Sequence, residues 1–112
     1  MTAQPVPNPS GPMPVHRTVC SSFADVLRIL RRHLHAVTVE HTNLTGRDEA
    51  RDLIDKRLAE HGRPVYGTVV VTSRQGRLLA FDGEIRAATG MAIEFTTGAR
   101  APLHRLVAVG IN

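Results

Sequence analysis

Apolar residues recur at three- and four-residue spacing between Ser22 and His35, which is the pattern of an amphipathic helix. Ser21 or Ser22 supplies a side-chain oxygen suited to the N-cap. The pattern therefore predicts a first helix over residues 22–35 with a buried apolar stripe. The stripe consists of Phe23, Val26, Leu27, Leu30 and Leu34.

A second helical pattern covers residues 46–61. Thr45 can cap its start. Gly62 provides a left-handed cap at its end, and Pro64 prevents the helix from continuing. The inward stripe of this helix is expected to consist of Ala50, Leu53, Ile54 and Leu58.

The remaining patterns are typical of strands. Residues 36–42 alternate between apolar and polar positions, and residues 65–74 are rich in β-branched side chains, as in a central strand. Alternation over residues 91–96 predicts a strand that turns Met91, Ile93 and Phe95 inward.

Glycines mark the expected turns between these strands. Gln75-Gly76 and Asp82-Gly83 are both two-residue hairpin signals. Gly90 is interpreted as a bulge inside one long strand over residues 84–97. Residues 103–111 form a last strand that closes the sheet.

This order of elements predicts one small α+β domain over residues 15–112. We expect a mostly antiparallel sheet of about five strands with both helices packed on one face. Residues 1–14 hold five of the seven prolines and lack apolar periodicity, so they predict a disordered, proline-rich tail.

Charge directs attention to the first helix. The chain carries a net charge of +4, and Lys56 is the only lysine among its 14 basic residues. Two explanations of the arginine excess remain open: codon usage, and selection for bidentate contacts to carboxylate or phosphate groups. Hydrophobic and charged fractions of 42% and 21% are those of an ordinary globular domain.

If the apolar stripe is buried, a cationic arc must point outward. We therefore interpret the protein as a small non-enzymatic binding module whose partner is nucleic acid or an acidic protein surface. Four aromatic side chains are too few for a base-stacking platform, so any nucleic-acid contact would be to phosphates. The candidate partner-binding residues are Arg28, Arg31, Arg32 and His35 on the helix, with Arg74 and Arg77 flanking a hairpin tip.

Two alternatives remain open. A small cofactor-independent enzyme would use a polar pocket between sheet and helices, with Glu94, His104 and Arg57 as its candidate residues. A homo-oligomeric structural protein would pair through an edge strand over residues 103–111.

Other chemistry receives less support from the sequence. Cys20 precedes the first helix, where the helix dipole lowers the pKa of a thiol, as at the catalytic cysteine of phosphatases. A phosphatase loop also needs an arginine six residues after the cysteine, and this chain has Val26 at that position. His33, His35 and His41 have no metal-binding motif around them, so neither a metal site nor a cofactor is expected. No stretch reaches the length of a membrane helix, so no membrane partner is expected. A lone cysteine favours a reducing compartment, and we expect the cytoplasm.

Overall fold

The computed structural model of this chain describes residues 14–39 and 44–112. Within these residues two α-helices, one 3-10 turn and seven strands form an α+β domain, so the predicted class is confirmed and the expected strand number of about five is too low. Residues 1–13 of the predicted tail lie outside the described residues. The elements are β1 His16–Cys20, α1 Phe23–Leu30, β2 His35–Thr38, α2 Leu44–His61, β3 Val65–Thr72, β4 Leu78–Ala88, β5 Ala92–Phe95, β6 Arg100–Pro102, the 3-10 turn Leu103–Arg105 and β7 Leu106–Ile111.

All described strands pair antiparallel in one sheet with the order β2-β7-β3-β4-β5-β6. The eleven-residue strand β4 is long enough to pair β1 along its first half and β5 along its second half, on the edge opposite β3. β7 lies between β2 and β3, so the prediction that residues 103–111 form a sheet edge is wrong.

The Asp82-Gly83 pair does not form a turn. Both residues lie inside β4, where Asp82 is opposite Thr68 and Gly83 is opposite Gly67 of β3. Eight consecutive register pairs join these two strands, and this long-range pairing overrides the local turn preference. The Gln75-Gly76 signal correctly marks the turn between β3 and β4, where Gly76 has a φ of 78°, but residues 73–77 separate the two strands, so the connection is longer than two residues.

The predicted strand over residues 84–97 is two strands, and Gly90 lies in the turn between them. The Thr89 hydroxyl closes this turn by accepting hydrogen bonds from the main-chain N–H groups of Met91 and Ala92. Ile93 and Phe95 are buried as predicted, whereas Met91 is 81% exposed because it belongs to the turn.

The helices pack on opposite faces of the sheet, so their predicted placement on one face is wrong. Alternate residues of β3 show this directly: Val69 and Val71 belong to the core beneath α2, and Val70 belongs to the core beneath α1. A strand whose successive valines are all buried needs a covering layer on each face.

Helix α1 is shorter than predicted, and the side that faces the sheet differs from the predicted stripe. It buries Val26, Ile29 and Leu30, while Phe23 and Leu27 of the predicted stripe are exposed. Main-chain bonds from Arg32 to Ile29 and from His33 to Leu30 tighten the last turn. Leu34 therefore lies beyond the helix and His35 starts β2.

Helix α2 agrees closely with its pattern. Ala50 and Ile54 are fully buried, and Leu53 and Leu58 pack partly buried against the same core. Gly62 has a φ of 64° and donates its N–H to the Leu58 carbonyl, which confirms the predicted cap. The helix begins at Leu44, so Thr45 lies inside it and does not precede it.

Candidate functional site

Three arginines project from α1 and the turn that follows it. The Arg28 side chain is 72% exposed, and its guanidinium group forms an ion pair with the Asp25 carboxylate at 3.5 Å. The two residues are about one helical turn apart. Hydrogen bonds from the Ser21 hydroxyl and main chain, and then the Arg28 charge, hold the pKa of Asp25 below its ordinary value. Arg31 and Arg32 are exposed and have no acidic partner among the described side chains.

Helix α1 also exposes two large apolar side chains. Phe23 is 47% exposed and Leu27 is 39% exposed. Phe23, Leu27 and Arg31 follow one another at four-residue spacing and so lie along one side of the helix. We call the set Phe23, Leu27, Arg28, Arg31 and Arg32 the α1 surface. It combines apolar anchors with arginines, which is the composition of the central part of protein interfaces.

The other three candidate residues lie elsewhere. His35 and Val37 are two residues apart in β2, so their side chains lie on the same face of the sheet. Val37 packs into the core on the α2 side, so the His35 side chain points to the sheet face opposite α1. Arg32 directly precedes His33, whose ring stacks on Tyr66, so Arg32 lies near the start of β3. Arg74 and Arg77 flank the turn at the other end of β3, about 20 Å away at the usual rise per residue. The six residues therefore do not form one patch.

The structure also assembles a polar row that the sequence interpretation missed. Register pairing places His16, Asp82, Thr68 and Gly110 side by side across β1, β4, β3 and β7, on the sheet face that α1 covers only in part. Thr68 is 1% exposed. Its hydroxyl donates to a carboxylate oxygen of Asp82, and the hydroxyl oxygen accepts from His33 Nε2 at 2.7 Å.

His33 reaches this row from the turn between α1 and β2. Its ring lies above Gly110, where an added Cβ would be 2.7 Å from the ring, so only glycine fits beneath it. The ring also stacks on Tyr66 at a centroid distance of 6.3 Å, and Nδ1 is 3.2 Å from Asn112 Oδ1. Burial and then the Asp82 carboxylate raise the pKa of the Tyr66 hydroxyl, opposed by Arg32.

These contacts position a loop and do not activate a nucleophile. The Thr68 hydroxyl is buried, and it is already hydrogen bonded to His33 and Asp82, so a substrate cannot reach it. The network instead ties His33 to the sheet, and thereby orders the turn that carries Arg31 and Arg32. A threonine within a run of valines and a glycine in the last strand were the available signals in the sequence.

The residues of the enzyme alternative are not brought together. Glu94 lies opposite Arg100 in the sheet and forms ion pairs with Arg100 at 3.0 Å and Arg86 at 3.5 Å. His104 lies in the 3-10 turn after β6, not on the last strand as predicted. Arg57 donates two hydrogen bonds to the Asn112 main-chain oxygen from α2. Glu94 and Arg57 are thus already satisfied by structural contacts.

Cys20 is buried at the end of β1, beside the start of α1. Burial, followed by the negative charges of Asp25 and Asp82, raises the pKa of its thiol above the ordinary value. These effects oppose the helix dipole and keep the thiol protonated at neutral pH, so Cys20 is a structural residue.

We expect Cys20 to react with a disulfide reagent at least about tenfold more slowly in the native protein than in urea, because the thiolate is scarce and the sulfur is covered. The rate of thiol release measured at pH 7.5 checks this. Equal native and unfolded rates would contradict the assignment.

Within residues 14–39 and 44–112, no three His, Cys, Asp or Glu side chains are arranged as metal ligands. His41 lies outside the described part of the chain. No helix in that part is both long and apolar enough to cross a membrane.

Comparison of the chain with known protein families, with curated proteins and with solved structures gives no match. Function is therefore inferred from the geometry of the α1 surface and its surroundings.

Proposed function

We propose that the protein is a non-enzymatic binding module whose α1 surface docks on an acidic patch of a partner protein. The observation that carries this proposal is the exposure of Phe23 and Leu27 on the same side of α1 as Arg31, with Arg28 and Arg32 on the neighbouring flank. Aromatic and arginine side chains supply most of the binding energy in protein interfaces. An exposed phenylalanine within a cationic surface gains free energy only when a partner covers it.

An acidic protein fits this surface better than a nucleic acid. Arginine guanidinium groups bind carboxylates in a bidentate manner, and a protein patch also offers apolar side chains to Phe23 and Leu27. A duplex would need cations spread along its phosphates. Arg28, Arg31 and Arg32 instead cluster within about one helical turn. The buried thiol of Cys20 is consistent with a partner met in the reducing cytoplasm.

The order of the turn supports the same role. His33 is bonded to Thr68, which in turn is bonded to Asp82, so the segment carrying Arg31 and Arg32 is held against the sheet. Side chains on a preordered segment lose less conformational freedom on binding than those on a free loop.

The test uses a fluorescent 15-residue peptide of glutamate and leucine as a probe of an acidic protein surface. Replacing Arg28, Arg31 and Arg32 together with glutamine is expected to weaken its binding about tenfold, because each partly exposed ion pair contributes roughly 0.5 kcal/mol. Fluorescence polarisation at several salt concentrations measures the affinity. The variant should also show a shallower dependence on salt.

The matched control replaces Arg63, Arg74 and Arg77 with glutamine, which removes the same number of exposed charges elsewhere. Its affinity should stay within about twofold of the wild type. Phe23→Ala should lower the affinity for the glutamate–leucine peptide and leave the affinity for pure polyglutamate unchanged. Equal losses in both triple variants would show attraction by net charge alone and would overturn the proposal. Tighter binding of a DNA duplex that is insensitive to Phe23→Ala would replace the acidic protein with nucleic acid.

A further inference from the structure

Strand β2 is an edge of the sheet that the described strands form. The Val39 N–H bonds to the Val107 carbonyl at 2.7 Å, so the main-chain groups of alternate residues in this segment point toward β7. Those of Ala36 and Thr38 therefore point away from the sheet. Within residues 14–39 and 44–112, no strand pairs with this outer side of β2.

A groove runs beside this edge on the α1 side of the sheet. It has a volume of about 310 Å³, and it is lined by Leu27, Leu30 and Arg31 together with Ala36 and Thr38. The two strand residues have small side chains, which leaves the space next to α1 unfilled. Its wall is thus apolar along the helix and cationic at the helix end.

We infer that β2 binds an extended acidic segment of the partner protein, which adds a strand to the sheet and places its inward side chains in this groove. The inference rests on the proposed function and specifies the form of the partner. Main-chain N–H and C=O groups of Ala36 and Thr38 match those of an added strand. Alternate side chains of that strand would contact Leu27 and Leu30, and a carboxylate at its end would meet Arg31.

A second copy of the chain fits the edge poorly. Two β2 strands pair antiparallel about a two-fold axis perpendicular to the sheet, which puts both α1 helices on the same face. Arg31 lines the groove next to that edge and β2 contains no carboxylate, so a second copy would add like charge there and no ion-pair partner. An acidic strand removes this repulsion and replaces it with an ion pair.

The shortness of β2 gives the groove its importance. Four residues offer outward main-chain groups only at Ala36 and Thr38, which is too little pairing to select a partner. Selection must therefore come from the side chains that enter the groove. This explains why apolar and cationic residues of α1 border the same edge.

The first experiment uses a labelled seven-residue peptide, TVTLTET, whose alternate residues are Val, Leu and Glu. On saturation, the Ala36 and Thr38 amides of the full chain should exchange with solvent at least about tenfold more slowly, because they become hydrogen bonded. Nuclear magnetic resonance measures this exchange in the wild-type protein and so does not depend on the folding of a variant. Unchanged exchange at both amides under saturation would overturn the inference.

The second experiment replaces Ala36 with proline. Its N–H points outward, so proline blocks pairing with an added strand while keeping the bonds to β7. The Kd for TVTLTET should rise about tenfold, and a peptide methylated on alternate main-chain nitrogens should lose affinity for the wild type to a similar extent. His35→Ala is the control, because that side chain lies on the other sheet face, and its Kd should be unchanged.

The outcomes separate this inference from the proposed function. If Ala36→Pro and the methylated peptide bind normally while the triple α1 variant still loses the glutamate–leucine peptide, strand addition is wrong and the acidic docking surface stands. If the triple α1 variant binds both peptides as tightly as the wild type does, both the strand addition and the acidic docking surface are wrong. A doubled mass by sedimentation that Ala36→Pro abolishes would show that the edge takes a second copy, which also overturns the inference.

Discussion

Replacing Phe95 with alanine is expected to lower the free energy of unfolding by about 3–5 kcal/mol, the usual range for removing a buried phenylalanine. Phe95 is 1% exposed and belongs to the core between the sheet and α2. Its ring also packs on β4, since an added Cβ at Gly83 would lie 3.1 Å from it. The neighbours cannot close this cavity without moving two strands. Urea denaturation with linear extrapolation measures the loss.

Met91→Ala is the matched control for this prediction. Alternation along the chain places Met91 inward with Ile93 and Phe95, but in the structure Met91 is 81% exposed in the turn before β5. Its replacement should change stability by less than about 0.5 kcal/mol. A loss at Met91 comparable with that at Phe95 would mean that the turn at Thr89 is misplaced and that the strand continues through Gly90.

Replacing Thr68 with valine is expected to destabilise the protein by about 1–3 kcal/mol, although the two side chains have nearly the same shape. Valine fills the same space but gives no hydroxyl, so His33 Nε2 and an Asp82 carboxylate oxygen both lose their partner. The penalty arises because these polar groups are partly removed from water. Amides of the turn at residues 31–34 should also exchange faster, because His33 no longer anchors it.

Thr18→Val provides the comparison for Thr68→Val. Thr18 lies on the same sheet face, opposite Ala80, and its side chain is exposed. We expect a change within about 0.5 kcal/mol. If the two valine variants were equally stable, the polar row would contribute nothing beyond packing, and the order of the turn carrying Arg31 and Arg32 would need another cause.

The elements that could be predicted are those specified by neighbouring residues. Helix α2 has its apolar stripe, its Gly62 cap and its Pro64 stop within one short stretch, and the structure agrees with all three. The valines of β3 likewise predict a central strand. Apolar periodicity predicts α1 less accurately, because it assumes burial, whereas Phe23, Leu27 and Leu34 are apolar but exposed.

The candidate binding residues that the sequence predicts correctly are likewise those that are neighbours in the chain. Arg28, Arg31 and Arg32 are exposed near one another because they are close in the chain. Charge alone groups His35, Arg74 and Arg77 with these three arginines, but the sheet separates them.

Sequence alone established an α+β chain with two helices and a central valine-rich strand, because propensity, caps and short-range periodicity act within a few residues. Tertiary structure decided which face each helix covers, that Asp82 lies in a strand, and that β2 is an edge strand among the described strands. It also joined His33, Thr68 and Asp82 into one network. Pairing between distant strands sets these features, and its free energy depends on register and burial that no local pattern contains.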